Sequence, residues 1–331
     1  MKDNRSVIIW LLSGCFLIFS MVVIGGITRL TDSGLSMSTW SLLGGAPPLN
    51  LEEWIIAFDI YKQTPEGKIN SYYTLSDFKY IYFWEYLHRM MGRLLGLVFI
   101  IPFAYFLLKK QLSKKIIIQC CILLVMGASQ GLIGWWMVKS GLIDRPDVSH
   151  YRLALHLITA FLTCSYTLWV ALDLIISKSS NGNKFLFNKL FILLILIITQ
   201  IVYGAFVAGL KAGRIYTTWP KMGDKWIPES VFLDAGANSQ FIHRVLGLII
   251  VFSTIFIWKK AIKSNLSKLE KKAITILPVL VLAQFFLGVI TLVLGGAIVP
   301  ALLHQLLAFF LLLTLVFNLF LFKKNILKTD Q

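Results

Sequence analysis

The sequence predicts an all-α integral membrane protein whose eight transmembrane helices form two pseudo-symmetric four-helix bundles. Three observations carry this expectation. With 57% hydrophobic and 15% charged residues and a mean hydropathy of +0.75, the 331 residues are too apolar for a soluble domain. Apolar runs of about 20 residues, the length a helix needs to cross the hydrocarbon, recur eight times. Four histidines fall in two matched pairs within those runs, as part of a longer internal repeat.

The first run, 7–28, has no small-residue cleavage site and passes directly into Gly25, Gly26 and Arg29, which reads as a retained helix and not a signal peptide. A loop with Gly34, Thr39 and Trp40 leads to the second run, 81–108, which carries Glu85, His88, Arg89 and Gly92. The third run, 116–138, holds Gln130 and Gly134; the fourth, 152–176, holds His156. The fifth, 190–210, includes Gly204 and is followed by Gly213, Thr218 and Trp219. The sixth, 241–258, starts after Gln240 and carries His243, Arg244 and Gly247. The seventh, 273–294, holds Gln284 and Gly288, and the eighth, 300–322, holds His304.

Gly25, Gly34, Thr39 and Trp40 recur 179 residues later, and Gln130, Gly134 and Gly141 recur 154 residues later as Gln284, Gly288 and Gly295. The offset changes only in loops, so the first loop of the N-terminal half has gained 24 residues. Two parallel four-helix repeats follow, an N-terminal half at 1–180 and a C-terminal half at 181–331.

Lysines set the expected orientation. Eighteen basic residues and four acidic ones fall at the termini and alternate loops, against 14 basic and 12 acidic residues on the opposite side. Both termini are therefore expected in the cytoplasm. The net charge of +16 reads as this topology signal plus attraction to anionic membrane lipid, with no aromatic-interleaved basic patch to suggest nucleic acid. No Arg-rich, Ser-rich extension precedes the first run, which points to a bacterial inner membrane and a multi-pass protein. All four paired histidines then lie near the outer face.

Two imidazoles on facing helices are one pair short of the four ligands of a structural zinc site, but suffice as axial ligands of a haem, whose porphyrin supplies four nitrogens. His88 with His156 and His243 with His304 imply two such sites. Gly92 and Gly247 leave room for a macrocycle, or serve as small-residue helix contacts. Arg89 and Arg244 suit haem propionates, or snorkel to headgroups. Glu85 stands where the second half has Gln240; a carboxylate beside a haem ligand acts as a base, orients water or stabilises positive charge, unless it only pairs with Arg89 or Arg152. His150 has no repeat partner and reads as a surface loop residue. Cys15, Cys120, Cys121 and Cys164 fall inside helices as packing residues, and the absence of Cys-x-x-Cys-His excludes covalent c-type attachment. There is no nucleotide-binding glycine loop, nucleophile elbow or kinase signature.

Taken together, Glu85-x-x-His88-Arg89, His156, His243-Arg244, His304 and the stretch from Gly25 through Gly34 to Trp40 resemble the haem A synthase family over almost the entire chain. The resemblance is to its mitochondrial and proteobacterial branch, which lacks the outer-loop cysteine pair of some bacterial members. It implies oxidation of the C8 methyl of haem O to the formyl group of haem A for cytochrome oxidase assembly. It further implies one bis-histidine haem b per chain on His243 and His304, haem O as substrate between His88 and His156, and Glu85 as the catalytic carboxylate. Trp54 and Tyr61 of the long first loop would cover the substrate. Haem O synthase and oxidase assembly factors are partners by analogy, while the electron partner and a homo-oligomer stay open. The rival expectations are a di-haem b electron-transfer subunit of a quinone-linked complex, which has no need of Glu85, and a transporter of parallel repeats.

Overall fold

The computed structural model describes residues 4–37, 44–141, 148–176 and 182–323. Thr39 and Trp40, the charged residues Lys2, Asp3, Lys178, Lys324, Lys328 and Asp330, and the expected boundary at 180/181 lie outside those residues. Most of the described residues are helical, none is in a named strand, and eight of their helices are long and apolar enough to cross a membrane. These helices start two to six residues before the expected runs, and at four of the starts the side chain of Thr74, Asn183, Asp234 or Ser267 caps the first turn.

Two compact units divide the chain, Met1–Cys164 and Ser165–Gln331. In the first, α1 (Arg5–Leu30) packs against α4 (Leu75–Leu108), which also touches α5 (Lys114–Gly141). The indole of Trp10 on α1 donates to Val98 O at 2.9 Å and lies among Phe99, Phe103 and Phe106 of α4. α4 starts at Leu75, six residues before the expected run, because Thr74 and Asp77 form a reciprocal capping box. At 34 residues it is about 50 Å long, longer than the ~30 Å hydrocarbon, so one end stands clear of the bilayer.

The 24-residue insertion is helical. α2 (Leu51–Gln63) is capped by Asn50, whose side chain accepts from Glu53 N, and α3 (Pro65–Ile69) by Thr64 with Pro at its first turn. Phe58 and Tyr61 of α2 join Phe78 and Ile81 of α4 in a buried cluster, flanked by Trp54, Tyr73 and Tyr82. Tyr61 is thus a core residue of this cap, its hydroxyl accepting from Asn70 Nδ2 at 3.1 Å. Burial raises the Tyr61 hydroxyl above its ordinary value of 10, and Tyr73 moves the same way for the same reason.

α6 (His150–Ile175) begins with His150, which is half-buried against the Tyr151 ring instead of lying in a loop. It carries Cys164, whose Sγ faces Cys15 of α1. All four cysteines are free.

In the second unit α7 (Lys184–Gly209), α9 (Ala235–Ala261), α10 (Lys268–Val293) and α11 (Ile298–Phe322) form a closed ring of neighbours, a four-helix bundle. One face of α7 is buried through Leu186, Leu190, Leu193, Ile197, Ile201 and Ala205, at the three-to-four spacing of a helix stripe. Asn318 of α11, fully buried, donates to Ala273 O of α10 at 3.2 Å and to Thr314 O at 2.9 Å. Between α7 and α9 run a short 3-10 turn at Ala212–Arg214 and α8 (Ser230–Leu233). At the far end Lys323 pairs with Asp173 at 2.9 Å.

Candidate haem-binding sites

Each of the four histidine rings rests in a notch left by a missing side chain. A Cβ added at Gly25 of α1 would stand 2.9 Å from His88 Cε1, and at Gly134 of α5, 3.3 Å from His156 Cε1. In the second unit a Cβ at Gly204 of α7 would stand 3.0 Å from His243 Cε1, and at Gly288 of α10, 2.8 Å from His304 Cε1. The distances at Gly25 and Gly288 are too short for a real Cβ and those at Gly134 and Gly204 are tighter than most such contacts, so the glycines are where the helices admit the imidazoles. Gly25, Gly204, Gly134 and Gly288 were visible as repeated positions in the sequence, but their meeting with the histidines was not.

Four residues before three of these glycines stands a glutamine. Gln200 Nε2 donates to His243 O at 2.9 Å and lies 3.4 Å from His243 Nε2, while His243 Nδ1 is 3.2 Å from Gln200 O. Gln284 repeats the arrangement on His304, at 3.0 Å to the carbonyl and 3.3 Å to Nε2. Gln130 holds His156 similarly, with 3.2 Å to the carbonyl and 3.3 Å to the other ring nitrogen, Nδ1, once its amide oxygen is turned to accept from Thr159 Oγ1. A histidine whose main chain and ring are both approached by one neighbour in this way is held in its orientation.

The rings of His243 and His304 have centres 6.3 Å apart with planes at 75°. Two imidazoles facing one metal ion with bonds of about 2 Å have ring centres about 6 Å apart, so this pair has axial-ligand spacing. His88 and His156 both belong to the first unit, against Gly25 of α1 and Gly134 of α5. Among the described residues no three His, Cys, Asp or Glu side chains gather to hold a metal ion. A metal here brings its remaining ligands with it, as a porphyrin iron does; the residues fit a haem and not a structural zinc.

Around these pairs the two units differ. Glu85, 3% exposed, accepts from Ser36 Oγ at 2.6 Å, from Met37 N at 2.9 Å and from Arg89 Nη2 at 2.5 Å. The ion pair with Arg89 is therefore present, whereas Arg152 donates to Trp136 O and covers the Trp136 ring. Three of a carboxylate's roughly four acceptor positions are used, leaving one. Arg89 also donates to Met37 O at 3.2 Å. In the second unit Arg244 holds the matching loop through Tyr216 O, Thr218 O and Lys221 O, and Gln240 Nε2 donates to Tyr216 O at 2.9 Å. At Met37 and Tyr216, equivalent loop positions, the carboxylate takes an N–H and the amide a carbonyl. Ser36, which sequence reasoning passed over, is replaced in the second unit by Ile215.

Gly92 and Gly247 are covered by neighbouring side chains: a Cβ at Gly92 would lie 3.6 Å from Met21 Cε, and one at Gly247 3.5 Å from Gln200 Nε2. Trp54 packs edge-on against Phe78 and Tyr82 of α4.

The family model described as cytochrome oxidase assembly protein, COX15-CtaA, matches residues 8–316. A protein named Heme A synthase from Flavobacterium psychrophilum is 50% identical over 339 residues, 98% of this chain and 100% of its own length. Its namesake in Flavobacterium johnsoniae is 50% identical over 335 residues, 96% of this chain and 98% of the relative. One in Nitrosospira multiformis is 39% identical over 317 residues, 91% and 89%. Matched over nearly its whole length and built around paired histidines in apolar helices, this chain belongs to the COX15-CtaA family of cytochrome oxidase assembly proteins.

Proposed function

We propose that this protein is a haem A synthase, a membrane-bound oxidoreductase that converts the C8 methyl of haem O to the formyl group of haem A for terminal oxidase assembly. Relatives of that name at 50% identity across nearly the whole chain support it. In the finer reading, His243 and His304 hold one haem b per chain, and His88 and His156 bracket haem O. When bound, haem b supplies one-electron redox chemistry. Arg89, Arg244, Gly92 and Gly247 form the haem-binding surroundings.

The observation that carries the division of labour is the exchange of Glu85, with Ser36, for Gln240 and Ile215 at otherwise matching positions. Glu85 is the catalytic group in this reading. Its remaining acceptor position takes the proton of a water beside the substrate methyl, or faces positive charge developing there. Ser36, the Met37 N–H and Arg89 hold the carboxylate in one orientation, so it does not have to be reordered for each turnover. Glutamine in the second unit takes no proton, which suits a site that only passes electrons.

The lysine distribution supports the finer topology, a bacterial inner-membrane protein with both termini cytoplasmic and the histidines near the outer face, and the sequence repeat supports two parallel halves at 1–180 and 181–331. Haem O synthase, oxidase assembly factors and an electron partner complete the proposal.

The test is haem extraction and reversed-phase analysis of protein purified from cells that make haem O, wild type beside Glu85→Gln. Wild type is expected to carry one haem b per chain with haem O and haem A; the variant keeps haem b and haem O but lacks haem A. Two haem b per chain, unchanged by the substitution and without haem A, would contradict the proposal and favour a di-haem electron carrier.

A further inference from the structure

Three of the four histidines are docked by glutamine in the pattern Gln-x-x-x-Gly: Gln130 with Gly134, Gln200 with Gly204, Gln284 with Gly288. The fourth, His88, has Gly25 in the notch, but the position four residues earlier is Met21. Met21 occupies the place of Gln200: its Cε lies over Gly92 as Gln200 Nε2 lies over Gly247. A thioether has no proton to donate and is a weak acceptor. His88 Nδ1 is buried without a hydrogen-bond partner. His243 Nδ1 reaches the main-chain carbonyl of Gln200, while the Gln200 side-chain amide donates to the His243 carbonyl and lies 3.4 Å from its Nε2, contacts that a methionine side chain cannot make. His304 Nδ1 is also without a partner, yet Gln284 holds that residue through its carbonyl.

We infer that Met21 makes His88 the exchangeable axial ligand of the four, so that the first unit admits and releases a haem while the second retains one. The inference rests on the proposed assignment of haem O to His88 and His156, and gives it a physical cause. A substrate haem must enter and leave as product, which a firmly oriented imidazole on each side opposes. A resident haem has the opposite requirement, and Gln200 and Gln284 meet it on both sides of the His243–His304 pair. Removing a neighbour that orients a metal ligand costs about 10–100-fold in affinity, so one missing glutamine is enough to separate a retained from an exchanging haem. Met21 acts through His88 and is a positioning residue.

The experiment follows transfer of protohaem from the loaded, full-length protein to excess apomyoglobin by absorbance, without turnover. Wild type is expected to release haem in a fast and a slow phase, with the fast phase absent in His88→Ala. Met21→Gln should slow the fast phase about tenfold, at the low end of such effects, and Met21→Leu should leave it as in wild type. The reciprocal Gln200→Met should speed the slow phase by a similar factor, which keeps the idea open to refutation if Met21→Gln does not assemble. Equal rates for Met21→Gln and Met21→Leu, or a fast phase that survives His88→Ala, would overturn it. These rates are independent of haem A formation: exchange as expected in a protein that makes no haem A would leave the inference standing and fail the functional reading.

Discussion

Glu85 and Arg89 lie one helical turn apart with side chains only 4% and 12% exposed, so neither is removed without leaving the other charge buried. Both Glu85→Ala and Glu85→Gln leave the Arg89 charge uncompensated, but alanine also loses the bonds from Ser36 and Met37 N and is predicted to cost about 3–5 kcal/mol, while the glutamine amide oxygen still accepts those bonds and costs less. Thermal unfolding of the two variants in detergent separates these effects: a larger drop for alanine than for glutamine is expected, with haem A lost in both. The glycine notches give a second prediction at this scale. Gly204→Ala or Gly288→Ala places a carbon against His243 or His304, costing about 1–3 kcal/mol of overpacking, and is expected to deplete haem b as read by pyridine haemochrome. Gly213→Ala, whose added carbon meets nothing within 4 Å, should leave haem content unchanged. The histidines and Glu85 were legible because two copies of a motif reveal what is shared and what differs. Ser36 was not, since a hydroxyl 49 residues away in sequence meets the carboxylate only through the fold.

At the scale of elements, hydropathy located all eight long helices because each needs about 20 apolar residues, a signal that survives without any knowledge of packing. It passed over α2 and α3, which are short and polar on one side. Their caps, Asn50 with Glu53 and Thr64 with Pro65, were nevertheless written in the sequence. The cap depends on Tyr61. Tyr61→Ala is predicted to cost about 3–5 kcal/mol through the cavity left among Phe58 and Phe78, and Tyr61→Phe about 1 kcal/mol for the Asn70 bond. Limited proteolysis of the 44–74 segment measures the difference, with early cleavage expected only for alanine. Alkali acts in the same direction. The hydroxyls of Tyr61 and Tyr73 hold their protons to higher pH when folded than when unfolded, so cap stability is complete below pH 10 and falls as pH rises above it. Proteolysis as a function of pH should show the loop opening only beyond that point.

For the whole molecule, eighteen basic residues against four acidic ones at the termini and alternate loops predict one orientation. A fluorescent protein fused after Gln331 is expected to fluoresce and an alkaline phosphatase fused there to be inactive; the converse would reverse the topology and put the histidines near the inner face. In the proposed reading, the two similar halves that the repeat creates divide the work, the second keeping a haem and the first processing one. The decisive measurement is the haem content of purified wild type and of the four single variants His88→Ala, His156→Ala, His243→Ala and His304→Ala. Loss of haem b in the His243 and His304 variants, with haem b kept and haem O and haem A lost in the His88 and His156 variants, is the predicted result. Equal loss of haem b from all four would contradict a division between a resident and a substrate site.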